Sequence, residues 1–534
     1  MNHVDAAAQR QQAARILLPV TVVLCVAAGV IAALSYGAAA QVAFGILLVA
    51  VAYKMVGAPG IILLLPVLYC FAGLNRIDDI FSIGINERFR IPVAYWLTVL
   101  CVLLLALTVP WGRYARAGEV SPGQHFARRF VAGLLLFVGL CAFSLFLNHL
   151  SDPYVKDRSA IAEVLSLGAI VFPMTLVAVI PMTNLSKSHT RMCMQAMIGL
   201  AAATGLILAV FGLMPERVIG LLGWTGFGFG TVDLARGRTP LGHPNTVAAL
   251  LQMFMVVCVV LGVRQKGALF RGLYLAAAGA IFIGILFSLS RTALGVSGIT
   301  LMLVFAYLLL SRKQSRGVEM FLIGGFFAVL ICGMVYLFMT YDFSRFWSRG
   351  YYEVRSIGGR TESMRTAALV WLDHPLFGTG PGAMYPRLET EYGWVYEGFS
   401  DVGFVFYYRG HITLPHPHNM YLLMLAEFGL LGTAAAVFLI GSVGWMLYRL
   451  RKRLEGRELD HELVTAAMFG LLATLLSGMA ESLFLINMRH GIVIWTFFGL
   501  AIRYGIATEQ EDAPRESAPT VCQITTNCEQ VSGL

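Results

Sequence analysis

Apolar runs of about 17–21 residues recur along this chain, each long enough to cross the hydrocarbon core of a bilayer as a single helix. Ile16–Leu34, Val93–Val109, Phe130–Leu147, Ile161–Ile180, Gln195–Met214, Leu273–Leu289 and Phe321–Met339 are examples. With weaker stretches such as Gln41–Tyr53 and Gly60–Leu74, the count reaches about 12–14. Only 13% of the 534 residues are charged and 58% are hydrophobic, against roughly a quarter charged in soluble proteins. The expected fold is an all-α polytopic membrane protein with a large helical loop on one face.

A formal charge of +9 raises the question of nucleic acid, and its distribution answers it. The basic residues gather in alternate short loops: Arg113, Arg116, Arg128 and Arg129; Lys187 and Arg191; Arg264, Lys266 and Arg271; Arg312, Lys313 and Arg316; Arg449 to Arg457. That alternation is the positive-inside pattern, which makes these loops cytoplasmic, puts both termini inside and leaves no call for a nucleic-acid partner. Cys25, Cys70, Cys101, Cys141, Cys258 and Cys332 fall in spans, Cys193 near a cytoplasmic end, and Cys522 and Cys528 in the tail. None lies in an outer loop, so no disulfide framework or CxxC metal site is indicated. The first span shows no cleavage site and reads as retained.

Under this topology, residues 1–339 are transmembrane helices with an outer segment at 216–245. Residues 340–419 form a large outer loop, 420–504 the last spans, and 505–534 a cytoplasmic tail. Long loops without a domain of their own are usually functional or disordered. The loop at 340–419 is rich in aromatic residues, among them Trp347, Trp371, Trp394 and Phe377, which argues for order. Met364, Ala367, Ala368, Trp371 and Leu372 have helical spacing; His374-Pro375 stops that helix, and Gly378 to Gly382 makes a tight turn. No repeat of 20–50 residues is evident.

The loop closes on His418-Asn419, and after nine residues of an apolar helix comes Gly429-Leu430-Leu431-Gly432. Asn419 can cap the helix that begins near Met420. A histidine at a wet membrane surface can serve as a general base; position alone favours reading His418 and His416 as interfacial loop histidines. Gly429 and Gly432 read as a small-residue packing face. Glu427, set in an apolar helix, needs a partner, either something near His418 or a neighbouring helix.

Three arginines stand on the outer side, where the positive-inside rule does not explain them. Arg238 precedes a span, Arg291 follows Ser290 between two spans with almost no loop, and Arg360 follows Gly358-Gly359. Arginines at membrane level mark functional sites by default, and the guanidinium fork matches phosphate oxygens. Taken singly, each can also snorkel to lipid headgroups. No outer Asp-x-Asp or His/Asp cluster suggests a divalent metal, so arginines would have to stabilise any phosphate leaving group.

Together these residues resemble the O-antigen ligase superfamily of bacterial membrane glycosyltransferases, which includes O-antigen ligases, surface-polysaccharide polymerases and protein O-oligosaccharyltransferases. His418, Asn419, Gly429 and Gly432 match its His-(Asn/Ser/Gln), nine residues, Gly-x-x-Gly signature without a gap. Arg238 to Asn245 looks like its Arg…Gly-x-Pro-Asn element, Ser290-Arg291 like its Ser-Arg element, and Gly359-Arg360 with His374 to Gly380 like the start of its catalytic loop. The likeness spans roughly residues 200–432 by motif and the whole chain by topology. It implies a metal-independent inverting transferase of the inner membrane, with no cofactor and its active site facing the periplasm. The donor is a glycan on undecaprenyl pyrophosphate. Arg291 and Arg360 hold the pyrophosphate with Arg238 assisting, and His418 deprotonates the acceptor hydroxyl. His416, Asn419, Glu427, Gly429 and Gly432 support the site.

The acceptor separates two versions of this reading. A ligase transfers to lipid A-core; a polymerase of O-antigen or exopolysaccharide repeats transfers to a second lipid-linked glycan, and the chain's length and extra spans suit the latter. A lipid-linked glycan transporter is the rival class. Transporters place charges near the bilayer midplane and show inverted repeats, whereas the residues singled out here lie at one face.

Overall fold

A computed structural model describes residues 49–54, 56–72, 82–86, 89–109, 122–151, 160–214, 244–288, 290–310, 324, 363–384, 406–408, 411–413, 417–481 and 488–512. In chain order these form α1 (Ala58–Ala72), a hairpin of β1 (Ser82–Asn86) and β2 (Phe89–Pro92), α2 (Val93–Thr108), α3 (Pro122–Ser151), α4 (Ala160–Met182), α5 (Lys187–Leu213), α6 (Pro244–Arg264), α7 (Ala268–Phe287) and α8 (Arg291–Leu310). A loop helix at 363–373 follows, then a hairpin of β3 (Phe406–Tyr408) and β4 (His411–Thr413), α9 (Met420–Arg453), α10 (Glu458–Ser477) and α11 (Met488–Asp512). Both hairpins are antiparallel and two-stranded.

Among the described residues, eight helices are long and apolar enough to cross a membrane, and two more are apolar but shorter. The protein is an all-α polytopic membrane protein. The expected spans at Ile16–Leu34 and Phe321–Met339 lie outside the described residues, apart from Gly324. The last helix carries past Gly505, where the tail was expected to start, and ends at Asp512.

Burial separates central helices from peripheral ones. The apolar windows of α6 and α11 are 94% and 100% buried, against 33% for α7 and α8. Trp495, Phe497, Phe498 and Tyr504 of α11 are fully enclosed. A helix apolar on every side belongs in such a core, and one with an exposed apolar face belongs against lipid. Small residues let backbones cross closely in a bilayer: α5 meets α7 at Gly205 and Gly284, where a Cβ on Gly205 would fall 2.5 Å from the Ala280 carbonyl oxygen. Ser477 donates to Gln252 at 2.8 Å and joins α10 to α6 inside the bundle.

The two ends of the bundle differ in character. At one end Lys187 pairs with Asp460 at 2.7 Å, Tyr504 donates to the same carboxylate, Arg453 pairs with Glu509 at 3.2 Å, and Arg503 and Arg457 donate to the carbonyls of Leu185 and Thr508. These are the basic clusters that the sequence groups on one side. Because α5 and α10 both start at this end, their C-termini lie at the other. The end of α7 lies there too, since Phe287 would meet a Cβ on Gly212 of α5. The start of α9 joins them through hydrogen bonds to the end of α10. His418 and the Ser290-Arg291 junction therefore share the end opposite the arginine-rich one.

Candidate active site

His418 sits in the turn that opens α9. Its φ of 47° places it in the left-handed region, and among the described residues it is the one non-glycine residue there. A side chain held in that region costs about 1–3 kcal/mol and tends to occur where the surroundings fix it for function. Asn419 is the N-cap, as its position in the sequence predicts: its Oδ1 accepts from the backbone N–H groups of Tyr421 and Leu422, both at 3.0 Å. Its Nδ2 donates to the Met479 carbonyl at 3.1 Å, and the Met420 N–H donates to the Gly478 carbonyl at 2.8 Å. These bonds fasten the turn to the end of α10.

Fastened there, His418 meets a carboxylate. Glu481 Oε2 lies 3.3 Å from His418 Nδ1, with the glutamate side chain 3% exposed and the histidine 16%. An ionised carboxylate only accepts, so Nδ1–H is the donor and Nε2 becomes the basic nitrogen of the ring. A base oriented by a third group is the arrangement that readies an imidazole for proton transfer. Glu427 stands elsewhere: it lies seven residues past Met420, about 10.5 Å along the helix axis, buried and within electrostatic reach of Cys141 on α3. Sequence reasoning missed Glu481, which is 63 positions from His418. The signal available was the one that picked out Glu427, a carboxylate embedded in an apolar stretch.

Gly429 and Gly432 are not one packing face. Gly429 breaks α9, with φ 61° and ψ −169°. At the break the helix takes its hydrogen bonds from the loop: Leu430 and Leu431 donate to the carbonyls of Pro375 and Leu376 at 2.8 and 3.1 Å, while Thr379 and Gly380 donate to those of Ala426 and Glu427 at 3.0 and 2.8 Å. Every peptide group freed by the kink has to find a partner, and the turn after the loop helix supplies four. Gly432 has a different part. A Cβ there would come within 2.7 Å of the Phe428 Cβ, whose ring packs edge-on against Phe137 of α3 at 5.2 Å.

The turn is also held from α3 and α4. Ser144 Oγ and Asn148 Nδ2 both donate to the Gly378 carbonyl, at 3.2 and 3.3 Å, and Phe143 packs edge-on against Phe377 at 5.0 Å. A Cβ on Gly382 would fall 2.9 Å from Ser166 Oγ. A cavity of about 450 Å³ opens here between Ser144, Asn148 and His374 to Gly378. The loop helix itself buries Ser363, Thr366, Ala367 and Val370, and Ala367 and Val370 pack on Leu423 and Ala426 of α9. Of the residues with helical spacing, Ala367 is buried and Leu372 is 62% exposed. Close approach to α9 selects the small face of the helix over the bulky one.

The break falls at a meaningful depth. Counting about 20 residues back from Arg449, the length that crosses a ~30 Å hydrocarbon core, reaches Gly429.

Ser290 begins α8, with its Oγ accepting from the Ala293 N–H at 3.4 Å and its own N–H donating to Ser288 Oγ at 3.2 Å. Arg291 is the first residue of that helix, at the His418 end. Arg238, Arg360 and His416 lie outside the described residues.

A family model described as O-antigen ligase matches residues 275–437. The matched segment runs from within α7 through the loop helix and His418 past the Gly429 break. This segment is similar to the O-antigen ligase family. The O-antigen ligase match takes in His418, Asn419, Gly429, Gly432, Arg291 and Arg360; Arg238 and Glu481 lie beyond its ends. No curated protein matches the chain. The similarity to the family supports a function of the O-antigen ligase or polymerase type in general.

Proposed function

We propose that the protein is an inner-membrane glycosyltransferase that moves a glycan from undecaprenyl pyrophosphate to an acceptor hydroxyl of lipid A-core at the periplasmic face. The observation that carries this reading is the His418–Glu481 pair at the head of α9, within hydrogen-bond reach. His418 Nε2 takes the acceptor hydroxyl proton as that oxygen attacks the anomeric carbon. The bond from the anomeric carbon to the phosphate oxygen breaks, and undecaprenyl pyrophosphate leaves with the electron pair. One displacement inverts the anomeric centre. The leaving group is already stable as an anion, so Arg291 and Arg360, assisted by Arg238, need only hold its charge. Glu481 fixes the ring and offsets the positive charge it gains. Positive-inside counting supports the orientation, since the arginine-rich end lies opposite His418.

The test uses purified protein, undecaprenyl-pyrophosphate glycan and EDTA, with lipid A-core supplied or withheld. Product on lipid A-core, lost in His418→Ala, is expected. Elongated lipid-linked glycan in the tube without lipid A-core would make the protein a polymerase instead. Wild-type rates from His418→Ala would remove the general-base role.

A further inference from the structure

At the arginine-rich end, a cavity of about 720 Å³ opens between the first turns of α3 and the last turns of α9. Its lining on α9 begins at Phe438 and ends at Arg453, roughly 30–50 Å along the helix from His418, and it belongs to no step of the transfer reaction. Its polarity is graded. Arg449 and Arg453, one turn apart on α9, face His125 and Arg129, one turn apart on α3. Toward the middle of the bundle the lining becomes apolar, with Phe438 and Trp445, which are 55% and 59% exposed. Between these two rings Gly441 leaves a gap, since a Cβ there would meet nothing within 4 Å. Glu509 pairs with Arg453, which leaves the cavity lining with a net positive charge from Arg129 and Arg449.

A charged rim over an apolar slot, open to the side of a membrane protein, fits an amphiphile with an anionic head. We propose that this cavity binds an anionic phospholipid, with its phosphate at Arg129 and Arg449 and an acyl chain along Phe438, Gly441 and Trp445. Basic pockets between transmembrane helices favour anionic headgroups by charge, the guanidinium fork suits phosphate oxygens, and Trp445, one turn from Arg449, sits where chain meets headgroup. The lipid bridges α3 and α9, the two helices that clamp the Gly378 turn at their other ends.

The experiment is native mass spectrometry of the full-length protein in detergent, titrated with phosphatidylglycerol or with phosphatidylcholine of the same chains. Tighter retention of phosphatidylglycerol is expected. Arg129→Gln with Arg449→Gln removes two charges, each worth roughly fivefold at a membrane surface, so retention should weaken about thirtyfold. Arg453 is kept so that its pair with Glu509 survives. Gly441→Leu fills the slot with every charge in place and should also lower retention; its Cβ meets nothing within 4 Å and leucine suits a helix better than glycine. Equal retention of the two lipids by the wild type overturns the proposal, as does undiminished retention by either variant. Inorganic phosphate at matched concentration should leave the lipid bound; its displacing the lipid would make this a free-phosphate site.

Discussion

Gly378 and Gly429 meet backbone to backbone. A Cβ on Gly378 would lie 2.5 Å from the Glu427 carbonyl, and one on Gly429 would lie 2.5 Å from the Gly378 nitrogen. Both residues have positive φ, 68° and 61°. The contact joins the loop to the helix that carries His418, so the position of the histidine depends on a seam that admits no side chain.

Gly429→Ala should therefore be costly. The left-handed backbone alone accounts for about 1–3 kcal/mol, and the clash with the turn adds to it. The thermal midpoint in detergent should fall and transferase activity should be lost. Gly298→Ala is the control, because a Cβ there meets nothing within 4 Å; it should be neutral or stabilise by about 0.5–1 kcal/mol. Similar midpoints for the two variants would show that the seam is not closed.

Removing the imidazole with His418→Ala should reduce kcat by on the order of 10²–10⁴. Glu481→Gln keeps an acceptor near Nδ1 and loses the charge, so its kcat should fall by less while KM for the donor stays unchanged. A raised KM with normal kcat in Glu481→Gln would mean that the carboxylate serves donor binding and does not position the base.

Asn419 caps α9 and also ties it to Met479. Asn419→Ala should destabilise by about 0.5–2 kcal/mol. Asn419→Asp retains the cap oxygen and loses the amide donor, so chemical denaturation should place it between Ala and wild type. If the aspartate variant is no better than alanine, the tie to Met479 outweighs the cap.

Ser144 and Asn148 converge on the Gly378 carbonyl. Replacing both with alanine removes two hydrogen bonds worth about 1 kcal/mol each. Hydrogen exchange should speed up in residues 375–384 and stay unchanged in α8. Unchanged exchange in the turn would show that α9 holds it without help from α3.

The sequence was readable wherever the signal was local. A bilayer-length apolar run meets its requirement within one segment, so Val93–Val109 matches α2 to within a residue and Phe130–Leu147 falls inside α3. A cap acts over three residues, and Asn419 was visible as one. The loop helix was half readable. Its existence and its stop at His374-Pro375 follow from spacing and proline, but its buried face does not, because α9 chose Ser363, Thr366, Ala367 and Val370 over the bulkier stripe. Gly429 shows the same division: a glycine at this spacing is visible, and the fold makes it a helix break that packs on the Gly378 turn.

By itself the sequence determined a polytopic helical protein with one basic side, a histidine at a helix N-terminus and the spacing from His418 to Gly429 and Gly432. These follow from hydrophobic length, charge placement and local backbone preference, each contained in a short stretch of chain. Only the tertiary structure decided that Glu481 stands beside His418, that Gly378 closes on Gly429, and that α3 and α9 frame a cavity at their arginine-rich ends. Those are contacts between residues far apart along the chain, chosen by which helices pack together, and no local periodicity records that choice.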